Sequence, residues 1–291
     1  MSKPDESNLA LLTRPKVLCT YCVPLISSMQ YTNDVNVFRA SWKRYNISGI
    51  VAEKYDLTFL VVFKTDDPAK KLLSSQECFA SLGIKNFGID HIHTFHPNVG
   101  KDIGSYVQVA RDYKFSDYEV FMFMSTSTDI LHSMCLTYVI DALNDKNIGM
   151  SGVHGIHSKG YTSYEFNPAI RTNLFCVRKD TLPLIGAYEV ELNDMQRYNF
   201  ETGNYNITAK VLNYGLRAVV VTPQNELLDW DKWNRNEGFL RGTSEYILAS
   251  DRASLLNINW AKTNMNKLYN TFYPSSNTIH KREFFKQNTN I

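Results

Sequence analysis

The chain has 291 residues, with 31 Lys and Arg against 29 Asp and Glu, a formal charge of +2. That near-balance argues against a nucleic-acid binder that works by neutralising phosphates over a broad surface, and it leaves small-molecule and carbohydrate substrates open. With 44% apolar and 21% charged residues, 17 Tyr and 16 Phe, the composition is globular and implies a sizeable core.

The longest apolar runs, Phe59 to Phe63, Val120 to Met124 and Ala218 to Val221, fall far below the roughly 18 residues of a membrane-spanning helix. The polar stretch Met1 to Ala10 has no apolar signal core, so the expected location is the cytoplasm. Five cysteines (19, 22, 78, 135 and 176) are odd in number and scattered, which fits reduced thiols better than a disulfide framework. The sequons at Asn46 and Asn206 carry no weight in such a compartment.

In chain order, Lys16 to Tyr21 reads as a first strand, stopped by Pro24. Asn33 to Tyr45 reads as a helix from the spacing of Val35, Phe38 and Trp42, with Asn33 or Asp34 as its cap. Leu57 to Phe63 is a continuous β-branched run, as in a strand covered on both faces. A polar turn over Lys64 to Pro68, a helix over Ala69 to Leu82 and a strand near Asp90 to Phe95 follow. The alternation predicts a Rossmann-like layered α/β fold. A helix over Gly100 to Tyr113 then leads into a strand over Tyr118 to Met124. Beyond it, helix is expected over Ile130 to Leu143, strand over Ile148 to Val153 and Arg171 to Arg178, and helix from an Asp180 cap through Ala187. Asn204 to Tyr214 reads as a helix closed by Gly215, before a last strand over Leu216 to Val221.

Ligands of open α/β sheets sit outside the carboxyl ends of the strands. Three such ends draw attention. The loop His96 to Tyr106 offers Asn98, Gly100, Lys101 and Asp102 at a helix start, a setting for an anion such as a diphosphate, although the glycine spacing fits neither a Walker loop nor a dinucleotide fingerprint. Ser125, Thr126, Ser127 and Asp129 follow Met124. Thr20, Tyr21 and Asp66 stand at adjacent strand ends, where Asp66 either accepts a hydrogen bond from a base or ribose or simply caps a solvated turn. Glu201 precedes a helix and is a candidate base, with helix-start electrostatics as the plain alternative.

These stretches, Asn98-Val99-Gly100, Asp117 to Asp129, Leu174 to Leu192 and Phe200 to Pro223, resemble in their order the A-type-fold (GT-A) glycosyltransferases, in particular inverting bacterial and viral surface-polysaccharide enzymes. The resemblance spans about Lys16 to Pro223. It implies a mostly parallel central sheet flanked by helices, with residues 1–260 as the catalytic domain (donor half 16–130, acceptor half 131–260) and a basic, aromatic C-terminal extension over 261–291. It also implies a nucleotide-sugar donor, a glycan or lipid-linked acceptor, no nucleic-acid partner, and a carboxylate base, Glu201 or, failing that, Asp194.

Two departures from the pattern stand out. The expected Asp-x-Asp metal motif is replaced by Ser125, Thr126 and Ser127, leaving Asp129 as the nearby carboxylate for Mn²⁺ or Mg²⁺, with Lys101 or Arg241 as stand-in cations. The expected Glu-Asp pair is Glu201-Thr202. His154, Trp230 and Trp233 are candidates on the acceptor side, by loop position and by aromatic stacking, with packing as the alternative for the tryptophans. The tail suits peripheral contact with an anionic membrane or a lipid-linked acceptor, with a solvated terminal helix as the default reading. His91, His93 and His96 lack a further zinc ligand at suitable spacing, and Cys19-x-x-Cys22 lacks a helix start or a second pair. A nucleotidyltransferase shares the layered fold but wants an acidic pair. A non-catalytic nucleotide- or carbohydrate-binding protein is the other reading, favoured by the missing Asp-x-Asp.

Overall fold

A computed structural model describes residues 14–26, 28–159, 166–233 and 247–251; the tail over 261–291 and Arg241 lie outside them. Strand β1 (Lys16–Pro24) shows how the sheet is built: its alternation sends Val17, Cys19, Tyr21 and Val23 into one apolar cluster and Leu18 and Cys22 into another. A strand that buries both faces belongs in the middle of a sheet covered on both sides. β2 (Asp56–Lys64) and β4 (Val120–Met124) pair with it in parallel on either side.

The eight-stranded sheet runs β11-β10-β6-β9-β4-β1-β2-β3, with β3 at Ile92–His96, β6 at Ile148–Gly152, β9 at Leu174–Arg178, β10 at Arg217–Val221 and β11 at Leu227–Asp229. β9 is antiparallel to both its neighbours and β11 is antiparallel to β10, while the other pairs are parallel. The mostly parallel, helix-flanked layout that was expected is therefore present, and one sheet takes strands from residues 16–130 and from residues 131–260 alike. Chain order reverses at β1, whose neighbours are β2 and β4. Among the described residues no helix is long and apolar enough to cross a membrane.

Helices α1 (Met29–Arg44), α2 (Ile47–Ala52), α3 (Ser75–Ser81) and α5 (Cys135–Asp141) contribute to the first cluster. Helices α4 (Lys101–Asp112), α6 (Leu182–Gly186), α7 (Asp194–Glu201) and α8 (Ile207–Asn213) contribute to the second. Several boundaries differ from the sequence reading. α1 starts a turn early, behind Ser28, because its first turn, from Met29 to Thr32, buries no residue and so leaves no apolar stripe in the spacing. The helix expected over Ala69 to Leu82 is a short 3₁₀ turn at Lys70–Leu72, then α3, which restarts where Ser74 and Glu77 form a reciprocal capping box. β1 runs on to Pro24 and β2 to Lys64, paired with one another; Lys64 is thus strand, not turn. Ile130 belongs to a two-residue strand β5 (Asp129–Ile130) paired with β12 (Ala249–Ser250), so the helix expected there starts later. The hairpin of β7 (Gly155–Lys159) and β8 (Phe166–Ile170) and helix α7 were not expected. Gly215, at φ +83°, closes α8 in the left-handed conformation as expected.

Candidate active site

At the carboxyl end of β1, Tyr21 stacks on Phe38 with ring centroids 4.0 Å apart and donates its hydroxyl to the Thr126 carbonyl over 2.9 Å. Thr126 in turn donates to the Cys22 carbonyl over 2.6 Å, and Thr128 to the Asn173 carbonyl over 2.7 Å. The turn after β4 is thereby fastened to β1 and to the segment before β9. Tyr21, Thr20 and Thr126 are buried, which corrects the expectation that they stand open to a donor: Tyr21 and Thr126 hold the turn in place, while the Thr20 hydroxyl has no hydrogen-bond partner among the described residues. Ser125 and Ser127 are half-buried with their hydroxyls 3.4 Å apart, the more open residues of a turn at the carboxyl end of β4, where open α/β sheets have their ligand crevice.

Across the crevice, Asp66 is exposed and accepts the Asn98 backbone N–H over 2.8 Å, tying the end of β2 to the loop before α4. That loop turns sharply, with Gly100 at φ +65° and Lys101 at φ +52°, the second uncommon for a residue with a Cβ. The glycines serve the chain itself. A Cβ on Gly100 would meet the Val190 carbonyl oxygen at 2.7 Å, and one on Gly104 would meet those of Val99 and Val190 at 2.3 and 2.7 Å. Close approach was expected from a diphosphate; it comes instead from the loop after α6. No side chain caps the first turn of α4, which leaves its leading N–H groups for an anion, with Lys101 exposed beside them. Asp102, in that first turn, is ion-paired with Lys64.

Glu201 is the last residue of α7, not the residue opening a helix. The C-terminal end of a helix disfavours an acid, so helix electrostatics does not account for it. Thr172 holds it, donating its hydroxyl to Oε1 over 2.9 Å, and the Thr172 carbonyl accepts the Tyr106 hydroxyl of α4 over 3.1 Å. Burial pushes the Tyr106 phenol well up, and the negative charges of Asp102 and Glu201 push it the same way. The structure thus brings Asp102 and Glu201 into electrostatic reach of one hydroxyl, joining α4 to the candidate base.

Other expected residues fall elsewhere. Asp194 is 93% exposed and pairs with Arg197 on the outer surface. Burial raises the Asp129 carboxyl from its ordinary value, opposed by Arg44 and a hydrogen bond with Ser41, both on α1. Trp233 is in the core, donating Nε1 to the Leu228 carbonyl over 2.8 Å with its ring against Gly155, so it offers no face to a sugar. Trp230 is 45% exposed. His154 is buried, its Nδ1 3.2 Å from the Asn173 amide nitrogen, and does not overhang the crevice. Cys19 and Cys22 lie on opposite faces of β1. A cavity of about 1010 Å³ opens at the other end of the sheet, among Lys16, Trp42, Tyr55, Phe59 and Asp117, away from the carboxyl ends of β1 and β2.

A divalent cation wants several hard oxygen ligands, carboxylates above all. Among the described residues no three His, Cys, Asp or Glu side chains come together. Two hydroxyls after β4 are spent on backbone carbonyls, and Asp129 is engaged with α1. These residues do not fit a metal ion held by the chain. Sequence reasoning missed Lys64, read as the start of a turn, and Thr172, which carries no motif.

No family model matches the chain, and no curated protein matches it in sequence. Among solved structures it is similar to a mannosyltransferase from Pyrobaculum calidifontis in complex with GDP-Man and Mn²⁺, at TM-score 0.43 and 9% identity, over 72% of this chain and 55% of that one. It is also similar to 4-diphosphocytidyl-2C-methyl-D-erythritol synthase from Anaerococcus prevotii (TM-score 0.40, 11% identity, 66% and 84% covered). A third is a glycosyltransferase involved in glycosylation of the major capsid of PBCV-1 (TM-score 0.40, 12% identity, 86% and 100% covered). The chain spans about half the length of the mannosyltransferase. Likeness at such identity concerns chain path and not side-chain chemistry.

Proposed function

We propose that the chain is a nucleotide-sugar glycosyltransferase that moves a sugar from a nucleoside-diphosphate sugar to a hydroxyl of a glycan or lipid-linked acceptor, with inversion. The observation that carries the reading is the bridge from α4 to Glu201. The first turn of α4 has no side-chain cap, and Tyr106 of the same helix reaches the Glu201 carboxylate through Thr172; in this reading the two ends of that bridge serve the leaving group and the acceptor. Direct displacement needs this division: a base on the acceptor side and positive potential on the leaving-group side.

In the reaction Glu201 takes the proton of the acceptor hydroxyl, and the oxygen attacks the anomeric carbon. The bond from that carbon to the diphosphate breaks, and the leaving group keeps the electron pair. Its charge meets the leading amides of α4 and Lys101. Asp66, Asn98, Ser125 and Ser127 line the donor side in this reading, and of the two candidate tryptophans Trp230 is the one exposed to an acceptor. Five free, buried cysteines support a reducing compartment, the cytoplasm. A second reading, a nucleotide- or carbohydrate-binding protein without catalysis, draws on the hydroxyl-lined turn at Ser125 to Thr128.

Glu201→Gln keeps the size of the side chain and removes its proton-accepting charge. It is expected to lower transfer by about 10²-fold or more while nucleotide binding persists. Transfer by this variant at the wild-type rate would contradict the assignment of the base; binding without transfer by the wild-type protein would favour the second reading.

A further inference from the structure

Lys64 closes β2 with its side chain 4% exposed, against 26% for its partner Asp102. On the same face of β2 stand Leu60 and Val62, both in the core, so the alternation leads to an apolar position and a lysine occupies it. Buried ion pairs are often no more stabilising than apolar residues of similar volume, so stability does not explain the choice. The pair sits beside Cys22, whose thiol is pushed up by burial and then by the charge of Asp102, with Lys64 opposing. This is the reversal point of the sheet, where crevice ligands bind. Burial, the largest single influence, pulls the Lys64 ammonium down; Asp102, with Cys22 and Tyr31 acting the same way, turns the net shift upward, so the lysine stays charged.

Among the described residues no set of side chains fits a divalent cation, yet a leaving diphosphate needs positive charge close by. We propose that Lys64 supplies this charge in place of a metal, and that Asp102 is the resting counter-ion which the diphosphate displaces. The inference rests on the nucleotide-sugar reading above. Asp102 is the more exposed partner and stands in the first turn of α4, so it can turn outward into water, whereas Lys64 is enclosed. A phosphate oxygen in its place keeps the ammonium compensated. The exchange joins the buried lysine to the leading amides of α4 and makes Lys101 an outer contact.

The test is calorimetric titration of the full chain with UDP, GDP, CDP and ADP, in EDTA and in Mn²⁺, for wild type, Lys64→Met, Lys64→Arg and Asp102→Asn. The expected result is wild-type binding of one nucleotide in EDTA. Lys64→Met should weaken it on the order of tenfold or more, the scale of a charge-assisted hydrogen bond. Lys64→Arg should recover part of the loss, and Asp102→Asn should bind as tightly as wild type or several-fold tighter. Melting curves confirm that each variant is folded, and Asp102→Asn reports on the site even where Lys64→Met does not fold. Wild-type binding that requires Mn²⁺ overturns the inference and leaves the donor reading standing, as does EDTA binding that Lys64→Met leaves unchanged or that Asp102→Asn weakens. No binding in either condition overturns both.

Discussion

Thr172 donates its hydroxyl to Glu201 Oε1 over 2.9 Å, and its own carbonyl receives the Tyr106 hydroxyl over 3.1 Å. A carboxylate at the C-terminal end of a short helix is thereby fixed to the segment before β9 and, through it, to α4. Thr172 does not touch the reacting atoms in this account. It positions the group that does.

Replacing Thr172 with Val keeps the shape and removes the hydroxyl, at a stability cost of about 0.5–1.5 kcal/mol. A base freed from its holder should reduce kcat on the order of tenfold, with KM for the donor little changed, because the donor side of the crevice keeps its groups. Thr172→Ser, which restores the donor, should recover most of the rate. Steady-state kinetics of the two variants make the check, and an equal loss in both would assign Thr172 to packing alone.

Gly104→Ala should destabilise the fold by about 1–3 kcal/mol, the range for overpacking, because its Cβ would lie 2.3 Å from the Val99 oxygen and 2.7 Å from that of Val190. Both obstacles are backbone. Urea denaturation measures the loss, and an unchanged midpoint would mean that the loop carrying Val190 yields without cost.

His96 is buried, and that burial, opposed by Asp112, pulls its pKa down to about 4. Since the folded value lies below the unfolded one of 6.5, the unfolded chain binds the proton more readily, and stability rises with pH across this window. Stability is full above about pH 6.5 and falls by roughly 2–3 kcal/mol as pH drops towards 4. Urea midpoints from pH 4 to 7 should show this slope in the wild type and a shallower one in His96→Gln. Parallel slopes would remove His96 as the cause.

All five cysteines are free and buried, and burial raises the thiol pKa of each. A thiol reagent at neutral pH should react slowly with the native protein and label five groups promptly in denaturant. Fast labelling of Cys19 or Cys22 in the native state would mean that β1 is not the enclosed central strand described.

Much of the layered fold is legible in the chain because β1, β2, β4 and β10 bury both faces, and a continuous β-branched run between polar turns says so without tertiary knowledge. The helices were harder where packing, not periodicity, sets them. α7 buries only Phe200, too little to leave a stripe in its sequence. Ser74 and Glu77 were in plain view as a capping signal, and the longer apolar pattern obscured them. At the site, the loop around Gly100 was legible as a helix entrance, but not that Val190 would fill the space beside its glycines. Lys64 and Asp102 are 38 positions apart, and only the pairing of β2 with β1 and the return of α4 bring them together. Trp233 reads in sequence as either a sugar platform or a packing residue and His154 as a loop residue; their burial follows from the hairpin of β7 and β8 and from the turn after β11, neither of which announces itself in sequence.

The most direct test of the central claim, that the crevice at the carboxyl ends of β1, β2 and β4 binds the donor, is hydrogen exchange with and without a saturating nucleotide sugar chosen from the titrations. The account predicts slower exchange over residues 64–67, 98–104 and 125–128, with residues 47–57 at the far cavity unchanged. Protection confined to the far cavity, or none in the crevice at saturation, would contradict it.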